Sequence, residues 1–363
     1  MFWSLLPRFL SYPLVVVLAS CSFAVVFIGP ASLNNPAYAQ TQGAVPGGSV
    51  GNLSDSEIWR AIRRGVEGNV SIPDKKAGVL VQSDGDSWRA FRNGPMQQYG
   101  LWLLLITVVV LFVYFAIRGR IKIDHGFDPQ GRTIERFNGF ERATHWLTAS
   151  SFVVLGLTGL NLMYGRYFMP SIFGPEIFSA ISYYGKVFHN YLAFAFMLGL
   201  VLMFFMWVRQ NIPNMTDVRW LAVGGGLFSK GVHPLAGRFN AGQKIIFWLV
   251  ILGGASLSFS GLALMFPFEI TPWSGTFAIL NSFGANLPTE LSALQETQLS
   301  VLWHGIVGVV MIAVIIGHIY IGSIGMEGAI AAVGSGDVDL NWAKEHHALW
   351  VEEVESSNAP SSS

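Results

Sequence analysis

The sequence predicts an all-α integral membrane protein: a four-helix transmembrane bundle preceded by one additional N-terminal transmembrane helix. Composition is the first reason, because 52% of the 363 residues are hydrophobic and only 12% are charged, unlike an average soluble domain. The second reason is length, since about 20 consecutive apolar residues make a helix that spans a bilayer. Long apolar stretches occupy 99–117, 146–164, 187–208, 245–267 and 300–323.

A shorter apolar run near the N-terminus, at about 13–28, comes before these five stretches. It is followed by Ala-Tyr-Ala at 37–39, which has the small-x-small form of a signal-peptidase site. We therefore predict that residues 1–39 are a signal peptide, with an uncleaved membrane anchor as the alternative. Residues 40–98 are polar and rich in Gly, Ser and Asp, and because they follow the signal peptide we predict that they form an exported segment. The stretch 99–117 is then the additional transmembrane helix.

Loop charges predict the orientation of the helices. The loop 118–145 carries six Lys or Arg residues and the loop 209–244 carries five. In contrast, the loop 268–299 carries none and 165–186 carries two. Because basic loops remain in the cytoplasm, the first two loops are predicted to be cytoplasmic and the last two periplasmic.

This orientation agrees with the signal peptide, which would export residues 40–98 to the periplasm. We expect a multi-pass protein of the bacterial inner (plasma) membrane, with the four-helix domain at 118–323. Helix counting places the C-terminal tail, 324–363, in the cytoplasm.

Net charge and cysteine content exclude several function classes. The formal net charge is zero and no basic run is present, so nucleic acid is not an expected partner. Cys21 is the only cysteine. A single cysteine excludes an internal disulfide, a cysteine-ligated Fe–S cluster and a haem attached through a CxxCH motif. Redox chemistry in this chain would therefore depend on histidines.

Four of the eight histidines lie in or at the edge of the last four apolar stretches. An ionisable side chain in a membrane helix is costly and indicates function. The alternative for each is a histidine that hydrogen-bonds a carbonyl group across helices. These four are His145, His189, His304 and His318.

The depths of these histidines predict two pairs. His304 and His318 share one helix, 14 residues apart, which is about 21 Å along the axis and within about 40° of the same direction. His145 lies at the cytoplasmic side, with His318, and His189 lies at the periplasmic side, with His304. Two imidazoles that face each other from different helices at one depth can ligate a b-type haem. The pattern therefore predicts two b-type haems.

Small residues on the same helices are compatible with a planar macrocycle nearby, but also with ordinary close packing of helices. The sequence leaves both interpretations open for Gly156, Gly159, Gly253, Gly254, Gly305 and Gly308.

The remaining histidines are expected to be less important. We predict that His125 is an exposed loop residue and that His233, which precedes a proline, is structural or exposed. His346 and His347 are adjacent, and side chains about 100° apart on a helix share a metal poorly. We expect these two to contact a partner protein.

Several segments resemble the gamma subunit of respiratory formate dehydrogenase, a cytochrome b in a wider group that includes hydrogenase and thiosulfate-reductase cytochromes. The resemblance covers about 130–355 and includes the tail elements that distinguish this subunit from hydrogenase relatives. The segments are RFNGFERATHWLTASSFVVLGLTGL, KVFHNYLAF, HPLAGRFNAGQKIIFW, GMEGAI and NWAKEHHALWVEE.

This resemblance implies a function and partners. The histidines that match His145, His189, His304 and His318 hold the two haems in that family, in the pairing above. A catalytic subunit with a molybdopterin or tungstopterin site would oxidise formate on the periplasmic side. An Fe–S subunit would pass the electrons to this chain, which would reduce menaquinone or ubiquinone near the cytoplasmic side in anaerobic or formate respiration. Membrane lipid surrounds such a chain.

The family's quinone pocket matches Asn240, Gly242 and Gln243. A glycine lets a planar ring approach the backbone, and Asn or Gln amides can donate to a quinone carbonyl. The alternative from the residues alone is a helix start, with Asn240 as the N-cap of a helix that begins near Lys244.

Two other functions compete with this prediction. One is the cytochrome b subunit of a hydrogenase or another molybdoenzyme, which the tail elements disfavour. The other is a transporter or proton channel with a histidine relay. Such proteins usually carry intramembrane acids or broken helices, and the spans here are almost free of Asp and Glu.

Overall fold

The computed structural model describes residues 85–229 and 231–358. The predicted signal peptide and most of the predicted exported segment lie outside these residues. The helices are α1 (Gly85–Phe91), α2 (Gln97–Arg118), α3 (Gly139–Tyr164), α4 (Met169–Phe173), α5 (Pro175–Trp207), α6 (Met215–Ala222), α7 (Ala241–Met265), α8 (Pro272–Ser282), α9 (Ala293–Tyr320), α10 (Ala331–Gly334), α11 (Leu340–His346) and α12 (Ala348–Asn358). Two short strands, β1 (Thr133–Glu135) and β2 (Asp337–Asp339), pair antiparallel with Ile134 opposite Val338.

Five helical spans in the described part of the chain are long and apolar enough to cross a membrane. They are Ser87–Arg118, Gly139–Tyr167, Pro175–Trp207, Ala241–Met265 and Ala293–Gly325. The first joins α1 to α2 through a π-helical turn at Arg92–Met96, and the last includes a π-helical turn at Ile321–Gly325. This confirms the predicted all-α membrane fold, with four spans that follow one additional helix.

The helices begin earlier than the apolar stretches predict. Asn138 caps α3, and its side chain accepts from the Glu141 backbone N–H while the Glu141 carboxylate accepts from the Asn138 N–H. Such a capping box starts a helix before its apolar segment. As a result His145 lies inside the second turn of α3 rather than at its start. His189 likewise lies well inside α5, which begins with Pro175 at its first position, a favoured place for proline.

The four helices of the bundle form two closely packed pairs. One pair is α3 with α5, and the other is α7 with α9, while α3 and α9 barely touch. A Cβ atom on Gly199 of α5 would lie 3.2 Å from the Thr148 Cα of α3, so only glycine permits this approach. The space between the two helix pairs is where the site lies.

The C-terminal residues do not form a free tail. Trp342, Trp350 and Val351 are buried in one apolar cluster with residues of α5 and α7. Strand β2 pairs with β1, which precedes α3. The sequence shows a mixed polar segment at 324–363, but its tryptophans cover the ends of the bundle that are predicted to be cytoplasmic.

We expect Glu141→Ala to destabilise the fold strongly. The buried Glu141 carboxylate accepts from Trp207 Nε1 at 2.8 Å and from Arg238 Nη2 at 2.8 and 2.9 Å. Removing the carboxylate leaves the Arg238 guanidinium and the Trp207 N–H without this acceptor, which should lower the free energy of unfolding by about 3 kcal/mol or more. Thermal unfolding in detergent should show a clearly lower midpoint for this variant. Glu135→Ala, at an exposed position of β1, is the control, and equal midpoints for the two variants would contradict the role of Glu141.

Candidate functional site

Two pairs of histidine rings face each other across the space between the helix pairs. The pair at the end predicted to be cytoplasmic, here called the inner pair, is His145 of α3 and His318 of α9, with ring centroids 6.4 Å apart. The outer pair is His189 of α5 and His304 of α9, with ring centroids 6.1 Å apart. The structure therefore brings together the same partners that helix depth predicts, one pair toward each end of the bundle.

These separations fit two imidazoles on opposite sides of one iron. A metal–nitrogen bond of about 2 Å and about 1 Å from nitrogen to ring centroid place the two centroids about 6 Å apart. Both observed values agree with this distance. The four side chains are half-buried, and each pair joins one helix pair to the other.

Hydrogen bonds orient the outer pair. His189 Nδ1 lies 2.9 Å from Thr158 Oγ1, and His304 Nδ1 lies 2.9 Å from Ser260 Oγ. The Thr158 hydroxyl can donate to the Val154 carbonyl in its own helix, at 2.8 Å, and thus accept from the imidazole. A proton on Nδ1 leaves the Nε2 lone pair free for a metal.

A glycine follows each of these hydroxyl residues and lies against the same imidazole. A Cβ atom on Gly159 would lie 3.4 Å from His189 Cε1, and one on Gly261 would lie 3.3 Å from His304 Cε1. A methyl group would be in van der Waals contact with the ring at Gly159 and slightly too close to it at Gly261. The remaining glycines noted in the sequence pack against aliphatic or methionine side chains: Gly156 on Ile312, Gly253 on Met311, Gly254 on Leu200, Gly305 on Met96 and Gly308 on Leu257.

The sequence contained a signal for this arrangement. Residues 158–163 are TGLNLM and residues 260–265 are SGLALM, so α3 and α7 carry one short repeat. In both copies the hydroxyl residue bonds an imidazole and the glycine lies beside it. A search for internal repeats, rather than for buried histidines alone, would have found Thr158, Ser260 and Gly261.

The inner pair differs in its hydrogen bonding. Within the described residues, His145 Nδ1 is buried without a hydrogen-bond partner. Both His145 and His318 line a cavity of about 1460 Å³, here called the inner cavity. Free imidazole nitrogens that border a large cavity are compatible with iron ligation, so the inner pair also fits a haem.

The predicted quinone residues lie at the wall of the inner cavity. Asn240, Gly242 and Gln243 all line it together with the inner histidines. Asn240 is also the N-cap of α7: its Oδ1 accepts from the Gln243 backbone N–H at 3.0 Å, and Gln243 Oε1 accepts from the Asn240 N–H at 3.1 Å. The side-chain oxygens of Asn240 and Gln243 therefore cap the helix, as the helix-start interpretation predicts. The side-chain amide N–H groups are the donors that remain for a ligand.

Arg136 is a buried cation at the same wall that the sequence did not single out. The residue is 2% exposed, and its guanidinium lies over the rings of Phe137, Trp342 and Trp350. Its Nη2 donates to the Arg238 carbonyl at 2.6 Å and to Gln243 Oε1 at 3.4 Å. Burial lowers the pKa of Arg136 to about 9, with the nearby Arg238 as a second cause, so the guanidinium remains charged near neutral pH.

The additional helix forms part of the inner cavity. Val110, Tyr114 and Arg118 of α2 line it. The Tyr114 hydroxyl donates to the Leu227 carbonyl at 2.7 Å, and Arg118 Nε donates to the same oxygen at 3.3 Å. These two hydrogen bonds hold the loop that precedes α7 against helix α2. Hydropathy identified this helix but gave no indication of this position.

The prediction for His346 and His347 was wrong for His347. Its side chain is buried, and its Nδ1 lies 2.8 Å from the Gly237 carbonyl. Burial holds the pKa of His347 well below its ordinary value. A buried ring that packs against Trp342 and Trp350 presents no surface to a partner protein. His125 is largely exposed, as predicted.

Comparison with known proteins gives one family and a consistent set of relatives. Residues 136–333, more than half of the chain, match the family described as prokaryotic cytochrome b561. The nitrate-inducible formate dehydrogenase cytochrome b556(Fdn) subunit of Escherichia coli K12 is 26% identical over 234 residues, which cover 63% of this chain and 95% of that protein. The formate dehydrogenase cytochrome b556(fdo) subunit of the same organism is 27% identical over 224 residues, 61% of this chain and 93% of that protein. The formate dehydrogenase cytochrome b556 subunit of Haemophilus influenzae is 23% identical over 216 residues, 58% and 79% respectively.

Proposed function

Because this chain belongs to the prokaryotic cytochrome b561 family, we propose that it is the dihaem cytochrome b subunit of a formate dehydrogenase and reduces quinone. His189 and His304 would hold the outer haem, and His145 and His318 the inner haem. Two one-electron carriers at two depths would supply a path for electrons across the bilayer. The single observation that supports this most strongly is that two histidines of α9 each face a histidine of another helix, with ring centroids 6.1 and 6.4 Å apart.

The side chains around the outer pair would hold the ligands ready for iron. The hydroxyl groups of Thr158 and Ser260 would accept from protons on Nδ1 and so fix both the tautomer and the ring direction. Gly159 and Gly261 leave the space that each imidazole needs to keep that direction. The prearranged rings would lose little freedom when iron binds.

The inner cavity would bind the quinone head group. The amide groups of Asn240 and Gln243 would donate to a carbonyl oxygen, and Gly242 would let the ring approach the start of α7. Arg136 adds a positive charge at the same wall. A cation near the carbonyl oxygen favours the charge that reduction places there.

The partners follow from the relatives rather than from contacts within this chain. We propose a pterin-containing catalytic subunit that oxidises formate and an Fe–S subunit that delivers electrons to the outer haem. Affinity purification of the full chain from its native membrane tests this directly. Recovery of a formate-oxidising partner supports the proposal, whereas recovery of a hydrogenase or a different molybdoenzyme supports that complex instead.

We expect Thr158→Val to shift the potential of the outer haem while both haems are retained. The change removes the hydroxyl that accepts from His189, so the imidazole becomes a weaker electron donor and the potential rises. A lost hydrogen bond of about 1 kcal/mol corresponds to about 40 mV. Redox titration monitored by visible absorption measures the shift. Thr107→Val is the control, since among the described residues the Thr107 hydroxyl donates to the Leu103 carbonyl of its own helix and to no histidine. A shift confined to the inner haem would argue against this assignment.

A further inference from the structure

Acid and base side chains connect the surface at the inner end of the bundle to the inner cavity. The first is Asp124, in the loop after α2, whose side chain is 43% exposed. Its Oδ2 lies 2.8 Å from His233 Nε2. This hydrogen bond holds the pKa of Asp124 below its ordinary value. A group so exposed can exchange protons with water and pass them inward to His233.

A second surface group reaches the same histidine. His125 is 80% exposed, and its Nδ1 lies 2.8 Å from Glu345 Oε1. The other carboxylate oxygen of Glu345 is 4.0 Å from His233 Nε2. Burial alone would raise the pKa of Glu345, but hydrogen bonds from His125 and two backbone N–H groups outweigh it and leave the pKa lowered. Two routes from solvent therefore meet at His233.

His346 lies beside His233 at the wall of the inner cavity, which Asp124 and Glu345 also border. The two ring centroids are 5.7 Å apart, a gap that a ring rotation or one water can bridge. His346 Nε2 is buried and has no hydrogen-bond partner among the described residues, and the residue lines the cavity. Burial and the neighbouring His233 lower the pKa of His346 to about 4. It is therefore neutral near pH 7 and, once protonated, releases its proton readily. The charged or titratable groups around it are His233, Glu345, Arg136, Asp124 and His347.

We propose that Asp124, His233 and His346 conduct protons from the cytoplasmic surface to a quinone in the inner cavity, with His125 and Glu345 as a second entrance. This inference rests on the proposed quinone reduction, because it assigns the proton supply of that site. The proposed quinone contacts are the amides of Asn240 and Gln243 and the guanidinium of Arg136, and none of these readily releases a proton near neutral pH.

The reaction balances without a further reactant. Quinone takes up two electrons, delivered through this chain, and two protons, one on each carbonyl oxygen. For each proton, neutral His346 first accepts a proton from His233, and an N–H bond of the protonated ring then breaks as an O–H bond of the quinol forms. His233 regains its proton through Asp124 or Glu345 from water, so every side chain returns to its initial state.

The test uses the full chain with its haems chemically reduced, mixed rapidly with decyl-ubiquinone or menadione. We expect His346→Gln to slow haem reoxidation at least about tenfold at pH 8. The slowing should be smaller at lower pH, where bulk acid is more plentiful, and added imidazole should restore the rate. Because there are two entrances, Asp124→Asn should have a small effect and Asp124→Asn with His125→Gln a large one. Glu353→Gln, an exposed carboxylate outside the route, should match the wild-type chain.

An equilibrium measurement accompanies the kinetics. With ring-labelled histidine and bound quinone, the reduced-minus-oxidised infrared difference spectrum should contain a histidine band that His346→Gln lacks and Glu353→Gln keeps. Because Asp124 and His125 lie at the surface, we expect their double variant to keep its haems. It therefore serves as the test if His346→Gln loses haem.

Wild-type rates in both His346→Gln and the double variant would overturn the proton route. A slow rate that imidazole does not restore, or an unchanged infrared band, would overturn it as well. If neither quinone reoxidises the wild-type chain at any pH, the proposed quinone reduction itself fails. If quinone reoxidises the wild-type chain and the variants at the same rate, the proton route alone is rejected.

Discussion

His304→Ala is expected to remove the outer haem and leave the inner haem in place, while His318→Ala should do the reverse. Both histidines lie on α9, but His304 faces His189 and His318 faces His145. Loss of one of the two imidazoles that would hold a haem leaves a single protein ligand, which should lower haem occupancy severely. Each variant should therefore retain about half of the haem absorbance.

Substitution of the facing histidine in each pair tests this prediction more strictly. His189→Ala should reproduce the spectrum and redox titration of His304→Ala, and His145→Ala those of His318→Ala. The two classes should differ from each other in the potential of the haem that remains. Loss of the same haem in His304→Ala and His318→Ala would contradict the pairing.

Gln243→Glu is expected to leave both haems intact and to impair quinone reduction by about tenfold or more. A glutamate at this position preserves the capping box of α7, because its oxygen still accepts from the Asn240 N–H. It removes the amide donor and places a carboxylate beside the inner cavity. Loss of one hydrogen bond to the quinone is worth about 1 kcal/mol, and repulsion of the reduced head group adds to it. Stopped-flow reoxidation of the reduced haems by decyl-ubiquinone measures the effect.

The chain offers a closely matched control. Gln295 completes an equivalent capping box with Ser292 at the start of α9, and it does not line the inner cavity. Gln295→Glu should therefore react with quinone at the wild-type rate. Equal slowing in Gln243→Glu and Gln295→Glu would mean that the substitution acts on helix stability and not on quinone.

Much of the fold could be predicted because lipid imposes simple rules on sequence. A membrane span needs a long apolar run, so the five helices were visible in hydropathy. Helical rise and loop charge alone predicted that His145 pairs with His318. Helix starts were less predictable, because Asn138 and Glu141 begin α3 through polar caps that hydropathy does not register.

The details around the histidines depended on contacts between distant segments. Arg136 becomes a buried cation only because Trp342 and Trp350 of the C-terminal helices fold over it. His347 is buried by the same packing. No local pattern near Arg136 indicates a tryptophan more than 200 positions later. In contrast, the repeated Thr-Gly and Ser-Gly pairs were present in the sequence and needed only a search for repeats.

Haem content of the purified full-length chain tests the central proposal most directly. A reduced-minus-oxidised spectrum, combined with pyridine extraction and protein determination, gives the type and number of haems per polypeptide. Two b-type haems per chain, reduced in two separate steps of a redox titration, is the predicted result. A chain without a b-type absorbance band, or with fewer than two haems after full reconstitution, would contradict the assignment of the two histidine pairs.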